Sequence, residues 1–338
     1  MNKIITVDIG NSNIVVGIWE GQTLEFTGRL ETRRDYTEDE LTSAFKELIR
    51  NNSNNGIYKQ TDKQVDMQVD IHVDKQISGC CEDIYDGAIL SSVVPEITDQ
   101  MMAALKNITG KEPLLMSSGL KTGIDISSYA TGSIGMDRIV DLSAAVAMYG
   151  APVMTVDLGT CTTITVAGMA DTKLVKAEYI DVEDDCASSD AEYKGKLVGG
   201  MICPGIQLSL DAQAQRASQL PQLEACGVDS LLGTDTASNM MSGVVAGCGL
   251  MISELADRLV SGDIQISVNK ESVSTSGDST NVDFFANDID MSNLKVVITG
   301  GLGKLVIPWI NTKADVYYEP DLLLRGLYEI YINNTLET

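Results

Sequence analysis

The chain has 338 residues, of which 44% are hydrophobic, so it is long enough to bury the cores of two domains. Acidic residues outnumber basic ones by 48 to 24, and the formal net charge is −24 at pH 7. A surface of that charge repels phosphates and anionic lipids, so we predict neither nucleic acid nor a membrane as a partner. The single histidine, His72, excludes histidine-rich zinc sites and HExxH proteases built within one chain.

Cysteine usage and the N-terminus favour a cytoplasmic protein. Seven cysteines include no CxxC pair, and Cys161, Cys203 and Cys248 lie in the apolar or Gly-rich surroundings typical of buried free thiols. Such usage suits a reducing compartment. The first ten residues lack the layout of a signal peptide, and no apolar run reaches the roughly 18 residues of a membrane helix.

The first part of the chain predicts a β-hairpin, a helix and a buried strand. The apolar runs Ile4–Val7 and Ile14–Trp19 flank a polar turn that contains Gly10, as in a hairpin. Apolar residues at helical spacing predict a helix over Thr37–Arg50. A further buried strand is predicted over Ala88–Val94, where Pro95 ends it.

The rest of the chain predicts a second hairpin among helices. A strand over 153–156 leads into a polar turn at 157–163, and 164–167 continues as the second strand. Periodicity predicts helices over 135–149, 206–215, 244–260 and 322–332, and a strand over 296–298.

An internal repeat links the two hairpins. Thr6–Gly10 recurs as Thr155–Gly159, and each copy is an apolar strand, an Asp, one apolar residue, a Gly and polar turn residues before a second strand. Two such hairpins far apart in one chain indicate a duplicated α/β fold with a cleft between the halves. We place the two domains at 1–118 and 119–338. Three polar stretches, about 51–82, 181–196 and 262–291, are predicted to be solvated insertions.

Gly-containing hairpin turns that face each other can hold a polyphosphate. Glycine lets the backbone approach a ligand, and turn N–H groups and hydroxyls donate to phosphate oxygens. Asp8 and Asp157 fit that role if a cation lies between them and the nucleotide; the alternative is that each Asp only closes its turn. No GxxxxGK[ST] or GxGxxG motif is present, so nucleotide binding depends on the hairpins and on the later Thr299–Gly301.

Two further motifs allow a structural and a functional interpretation. Gly135–Arg138 opens a predicted helix, where an Asp is common. Phosphoryl transfer to an alcohol also needs a carboxylate to deprotonate the hydroxyl, which Asp137 could supply while Arg138 pairs with an anionic group. Val198–Gly205 is either a tightly packed turn or a Gly/Pro wall of the cleft.

Taken together, these motifs resemble those of the type III pantothenate kinases, a family of the acetate kinase, actin and Hsp70 superfamily of duplicated ribonuclease-H-like domains. The matching segments occur in the family's order along nearly the whole chain. They are Asp8–Asn13 (first phosphate motif), Arg29–Thr32 (RxxT), Ser92–Pro95 (SVVP), Gly135–Arg138 (GxDR), Asp157–Thr163 (second phosphate motif), Gly199–Gly205 (GGxIxPG), Leu220-Pro221, and Thr299–Gly301 (adenosine motif).

The resemblance implies ATP-dependent phosphorylation of pantothenate to 4′-phosphopantothenate, the first step of coenzyme A biosynthesis, with Asp137 as general base. It implies that pantothenate is held by Tyr129, Gly135, Met136, Asp137, Arg138 and Ala217. ATP would be held by Asp8, Ile9, Gly10, Asn11, Ser12, Asn13, Ile14, Val15, Thr160, Gly300 and Gly301.

The resemblance also implies cations and a dimer. Asp157 would bind a monovalent cation, potassium or ammonium, and magnesium would accompany ATP with Asp8 in its second shell. The family is a homodimer with substrate sites near the interface. The chain departs from the family at Ala217-Ser218, where a Thr often touches substrate, and at Met136, where Ala is usual.

Two alternatives stay open at this point. One is a non-catalytic regulatory or accessory protein on the same scaffold, against which the presence of Asp8, Asp137 and Asp157 argues. The other is a sugar or acetate kinase of the superfamily, against which the match of Gly135–Arg138 to the pantothenate branch argues.

Overall fold

The computed structural model describes residues 3–54, 85–127, 129, 134–170, 193–263 and 289–335. The chain divides into two compact units, Met1–Leu120 with Leu323–Thr338, and Lys121–Leu322. The sequence-based boundary at 118/119 left the last helix with the second domain, whereas this division groups it with the first unit. Most of each predicted insertion lies outside the described residues. Among the helices described, none is both long and apolar enough to span a bilayer.

The described residues form eleven strands and seven α-helices. The strands are β1 (Lys3–Ile9), β2 (Asn13–Glu20), β3 (Thr23–Glu31), β4 (Gly87–Ser92), β5 (Leu114–Leu115), β6 (Ile124–Asp125), β7 (Val153–Leu158), β8 (Cys161–Met169), β9 (Gly195–Pro204), β10 (Lys295–Thr299) and β11 (Asp315–Tyr318). The helices are α1 (Glu38–Asn54), α2 (Pro95–Thr109), α3 (Met136–Tyr149), α4 (Ile206–Arg216), α5 (Thr236–Ser261), α6 (Gly303–Val306) and α7 (Leu322–Thr335).

The first unit is a five-stranded mixed sheet in the order β3-β2-β1-β4-β5. Strands β1, β2 and β3 are antiparallel, and β4 runs parallel to β1. Phe45 of α1 and Met101 of α2 pack with Ile5 and Val7 of β1 in one buried cluster. Trp19 stacks on Tyr328 of α7, with ring centroids 4.6 Å apart, in a second cluster that holds Ile4. Because helices cover both faces, four successive residues of β1, Ile4 to Val7, are all buried rather than alternately exposed.

The second unit is a six-stranded sheet in the order β11-β10-β7-β8-β9-β6. Leu142 of α3 packs with Val153 and Val297 in one cluster. Val245 and Ile252 of α5 pack with strand residues such as Val156 in another. The central strand β7 is therefore also buried on both sides.

The two sheets share one topology. Read from β9, the third strand of the antiparallel run β7-β8-β9, the second sheet runs β9-β8-β7-β10-β11. This order repeats β3-β2-β1-β4-β5, and β6 is an addition at the edge of the second sheet. The repeat extends to single hydrogen bonds: the hydroxyl of Thr6 donates to the carbonyl of its cross-strand partner Gly17 at 3.4 Å, and Thr155 donates to its partner Thr165 at 3.4 Å. The predicted duplicated α/β fold in two units is confirmed.

The predicted elements are confirmed, mostly with longer bounds, and four regions differ. Val198–Gly205, considered as a turn, belongs largely to β9, since backbone pairing with β8 continues through its glycines. The strand predicted to Val94 ends at Ser92, because Val94 caps α2 and Pro95 occupies its first turn. Residues 195–196, expected in an insertion, begin β9 and pair with β6. Met291, placed in the third insertion, is buried.

The two equivalent threonines give a matched test of the buried hydrogen bonds. Trp19 Nε1 donates to Thr6 Oγ1 at 3.1 Å, so Thr6→Val leaves a buried indole N–H without its acceptor and should cost about 1–3 kcal/mol. Thr155→Val removes only the hydroxyl's own bond and should cost less than about 1 kcal/mol. Thermal unfolding monitored by circular dichroism should show the larger drop in Tm for Thr6→Val. Equal drops would contradict the role given to the indole.

Candidate active site

The first hairpin turn presents polar side chains at the end of the central strand β1. Gly10 N donates to Asn13 O at 2.9 Å and closes the turn. The residues between, 11 to 13, are exposed, so their amide and hydroxyl groups face solvent where a ligand could reach them. Ile9 and Ile14 are fully buried. Of the predicted ATP-binding set, these two could therefore serve a ligand only through their main chain.

The second hairpin turn gathers Asp157 and two glycines at the end of β7. Gly159 N donates to Cys161 O at 3.2 Å, and Thr160 at the tip of the turn is exposed. Gly300 follows β10 with φ +87°, and a Cβ there would lie 2.5 Å from Asp157 Oδ1 and 2.6 Å from Leu158 N. Only glycine fits this backbone conformation and this approach to the carboxylate.

The two carboxylates occupy equivalent positions in their sheets. Asp8 lies beside Ser91 of the parallel neighbour β4, and Asp157 lies beside Thr299 of β10. Each is thus an oxygen-rich strand end formed by a carboxylate, a hydroxyl residue and a glycine turn. Oxygen donors are the ligands that hard cations prefer. The donor set at Asp157 therefore fits potassium or magnesium, and the glycines on its two sides leave space near the carboxylate. Sequence reasoning missed Ser91, which the register with β1 identifies.

Asp137 lies in the first turn of α3. The cap residue Gly135 has extended backbone, and a Cβ on it would clash with Asp137 Oδ1. A Cβ at Gly135 would therefore displace the Asp137 carboxylate, which folds back over the helix start. Asp137 is half-buried, which leaves its carboxylate accessible to a small molecule.

Arg138 is anchored in the core of the second unit. Its side chain is 6% exposed, Nε donates to Thr165 Oγ1 at 3.0 Å, and Nη2 donates to Ile164 O at 3.3 Å. A Cβ on Gly200 would clash with both Ile164 O and Nη2. Arg138 thus ties the start of α3 to β8, and its predicted pairing with a substrate anion stays a prediction.

The other predicted substrate residues have different settings. Tyr129 and Met136 are half-buried against the apolar cluster that contains Ile139 of α3, so both lie by the helix that carries Asp137. Ala217 follows α4, where its N–H donates to Gln213 O and its carbonyl accepts from Leu220 N, both at 2.9 Å. The main-chain N–H of Ala217 is therefore used within the fold.

Three cysteines near this region are free thiols. Cys161, Cys203 and Cys248 are free and partly buried, whereas full burial was expected. Burial, with a smaller contribution from neighbouring Cys203, raises the pKa of Cys248 to about 11, so this thiol is neutral at pH 7. Cys203 Sγ lies 3.9 Å from Met251 Sδ. These contacts are those of packed core thiols.

A carboxylate-ended glycine hairpin in each of two like units, together with an Asp at a helix start, is suited to nucleotide-dependent phosphoryl transfer. Residues 4–172 and 190–258 match the family model described as type III pantothenate kinase. The match covers more than half of the chain, and the protein therefore belongs to that family, which makes it a kinase.

Similar proteins agree with this assignment. The chain is 30% identical to a type III pantothenate kinase of Agathobacter rectalis over 97% of its own length and 96% of the relative's. It is 28% identical to one of Syntrophotalea carbinolica over 98% and 99% of the two chains. Among solved structures, a Campylobacter jejuni protein described as a Baf family transcriptional activator aligns with a TM-score of 0.47, at 15% identity over 98% of each chain. A likeness of that size adds nothing to the family assignment.

The close approach of Gly300 to Asp157 predicts a loss of activity on substitution. Gly300→Ala should displace the Asp157 carboxylate and lower kcat/KM for ATP more than about tenfold, because positioning errors of an ångström are costly in catalysis. Gly150→Ala is the matched control, since Gly150 has φ +72° but open space around it. It should cost about 1–3 kcal/mol of stability from backbone strain and leave kcat/KM unchanged. Steady-state kinetics, measured below the Tm of both variants, is the test. Equal losses of kcat/KM in the two variants would exclude a role for the contact between Gly300 and Asp157.

Proposed function

We propose that the protein transfers the γ-phosphoryl group of ATP to the 4′-hydroxyl of pantothenate. Phosphorylation of pantothenate with ATP, the first step of coenzyme A biosynthesis, is the activity of the family to which the chain belongs. The observation that carries the proposal is Asp137 in the first turn of α3, with Gly135 making room for its carboxylate.

Asp137 is proposed as the general base. In phosphoryl transfer the acceptor hydroxyl must be oriented and must lose its proton as the new P–O bond forms. A half-buried carboxylate in the first turn of a helix is held in place by the helix and is still open to the substrate hydroxyl, as this step requires. The proton passes from the pantothenate hydroxyl to a carboxylate oxygen of Asp137.

The pantothenate site is proposed around the start of α3. Tyr129 and Met136 supply apolar surface there, and the main chain of Gly135–Arg138 supplies polar groups. Met136 presents a longer side chain than the Ala usual in the family. Arg138, whose side chain is bonded to β8, is proposed to pair with the anionic group of pantothenate. Ala217 is proposed as a contact through its methyl group, because its N–H is already bonded.

ATP is proposed to bind through both hairpin turns. The turn N–H groups and the exposed side chains of Asn11, Ser12 and Asn13 would donate to phosphate oxygens in the first unit, and Thr160 would do so in the second. Gly300 and Gly301 would accept the nucleoside part. That one nucleotide engages both turns stays a prediction.

Two cations are proposed with the nucleotide. Magnesium bound to ATP would neutralise charge on its phosphates, with Asp8 in its second shell. A monovalent cation, potassium or ammonium, would bind at Asp157, whose carboxylate lies between the turn at Gly159 and Gly300. Both positions offer the oxygen donors that such ions require.

A homodimer in the cytoplasm is proposed as the working form. The second unit exposes several large apolar side chains, which an interface between two copies would cover. They are Met201 (41% exposed), Ile202 (65%), Leu208 (44%), Leu231 (47%), Leu232 (82%) and Leu250 (48%). Free cysteines are in keeping with a reducing compartment.

A coupled assay of ADP release tests the activity. With ATP, magnesium and potassium present, the protein should release ADP when pantothenate is added. It should not do so with acetate or glucose, the substrate types of related kinases. Mass spectrometry should identify 4′-phosphopantothenate. No release with any of the three acceptors would contradict the proposal and favour the accessory-protein alternative.

Removal of the proposed base should abolish most turnover while binding persists. Asp137→Asn keeps the size and hydrogen-bonding shape of the side chain but cannot accept the proton, so kcat should fall by roughly 10²- to 10⁴-fold. KM for ATP and the Tm should stay near wild type. The exposed Asp229→Asn is the control for loss of one charge and should keep full kcat. Near-normal turnover of Asp137→Asn would remove this residue from the mechanism.

Potassium should be required, and the requirement should depend on Asp157. Replacing potassium chloride by sodium chloride at equal ionic strength should lower kcat/KM for ATP at least about tenfold, given the several kcal/mol that a bound cation can contribute. Ammonium should restore it. In Asp157→Asn the residual activity should no longer distinguish the salts. A wild-type rate independent of the cation would contradict this assignment.

A further inference from the structure

Each unit contains a run of three antiparallel strands, β1-β2-β3 or β7-β8-β9, and the residue that follows the third strand of this run contacts the unit's hairpin turn. In the first unit this residue is Thr32, directly after β3. Thr32 N donates to Ser12 O at 3.0 Å, and Thr32 Oγ1 donates to Gly10 O at 2.7 Å. One residue therefore holds two carbonyls of the turn that ends β1.

In the second unit the same place is occupied by Gly205, directly after β9. Gly205 N donates to Thr160 O at 3.2 Å. A Cβ on Gly205 would lie 2.5 Å from Gly159 O and would also clash with Thr160 O. The strand therefore approaches this turn so closely that no side chain fits, and the main-chain bond alone holds it.

Hydrogen bonds align the two turns residue by residue, although they differ in length. Gly10 N bonds to Asn13 O, and Gly159 N bonds to Cys161 O. In each turn the carbonyl just before that acceptor, that of Ser12 or of Thr160, receives the bond from the third strand. Ser12 and Thr160 are thus equivalent, and so are Thr32 and Gly205. The Thr32 hydroxyl bonds to the carbonyl of Gly10, and a Cβ on Gly205 would point to the carbonyl of Gly159.

We propose that Thr32 and Gly205 are positioning residues that set the conformation of the two phosphate-binding turns. This inference rests on the proposed function, because it takes both turns as ATP-binding. Each bond occupies a carbonyl of the turn, which turns the oxygen toward the third strand. The N–H groups of the same peptide planes are thereby directed away from that strand, since N–H and C=O are antiparallel in a trans peptide. N–H donors that are already oriented in the free protein bind phosphate without the entropy cost of ordering the turn.

The two positions hold their turns in different ways, and this difference makes them separable by mutation. Thr32 acts partly through its hydroxyl, so Thr32→Val should lose one bond and Thr32→Ser should keep it. Gly205 acts through the absence of a side chain, so Gly205→Ala should push the Thr160 turn away. Thr27→Val, at an exposed site on β3, and Gly227→Ala, with open space around it, are the matched controls.

The test measures binding of ATP with magnesium by isothermal titration calorimetry, together with KM values for both substrates and Tm. Thr32→Val should raise Kd and KM for ATP about three- to tenfold, as expected for one lost hydrogen bond. KM for pantothenate should not change, and Thr32→Ser should restore the wild-type Kd. Gly205→Ala should raise Kd for ATP more than about tenfold. Both controls should match wild type.

The inference is overturned if Thr32→Val binds ATP as wild type does, or if Thr32→Ser loses as much affinity as Thr32→Val. Parallel rises in both KM values with a lower Tm would show a merely structural role and would also overturn it. If wild type binds ATP but does not phosphorylate pantothenate, the proposed function fails, and the Kd values of the variants alone decide on the positioning role. If wild type binds no ATP, both fail.

Discussion

The end of the central strand in each sheet is the feature on which the rest of this enzyme depends. At that point β1 and β7 place a carboxylate, Asp8 or Asp157, one residue before a buried apolar side chain and two before a turn glycine. Ile9 and Leu158 are buried in the core. Because successive side chains of a strand point to opposite sides of the sheet, each carboxylate lies on the face opposite to that of its buried neighbour. The chemistry of the turn is therefore anchored by the hydrophobic core beneath it.

Close backbone contacts at glycines shape the motifs of the second unit. Gly300 approaches Asp157, Gly205 approaches the Thr160 turn, Gly200 makes room for Arg138, and Gly135 makes room for Asp137. ATP is an anion and the chain has a net charge of −24, so its phosphates need hydrogen-bond donors close by. Main-chain N–H groups and small hydroxyl side chains are such donors. Gly135, Gly200, Gly205 and Gly300 thus share one physical reason, which is space for a neighbouring polar group.

The sequence was sufficient for the parts of the fold that repeat or that are strongly apolar. The copies Thr6–Gly10 and Thr155–Gly159 gave the duplication, because each is a buried strand with an unmistakable end. It failed for β3, whose residues alternate between exposed and half-buried and carry little apolar signal. It also left β9 undecided, because glycines lower strand propensity while tertiary contacts to β8 and Arg138 require them. The role of Thr32 depends on contacts across 22 residues, which local patterns cannot show.

The two units share the framework of their sheets, but they differ in the elements added to it. Both units keep the strand order, the buried threonine two residues before the carboxylate, and the bond from the third strand to the turn. Only the second unit adds β6 and α3 ahead of its central strand, and α3 carries Asp137. Its turn is also one residue shorter, and a Cβ at Gly205 would clash with two carbonyls of that turn, so glycine stands where the first unit has a threonine. Insertion before the first strand leaves the sheet's own hydrogen bonds intact, so a repeat that began symmetric can keep both hairpin turns while only one copy gains the helix that carries Asp137.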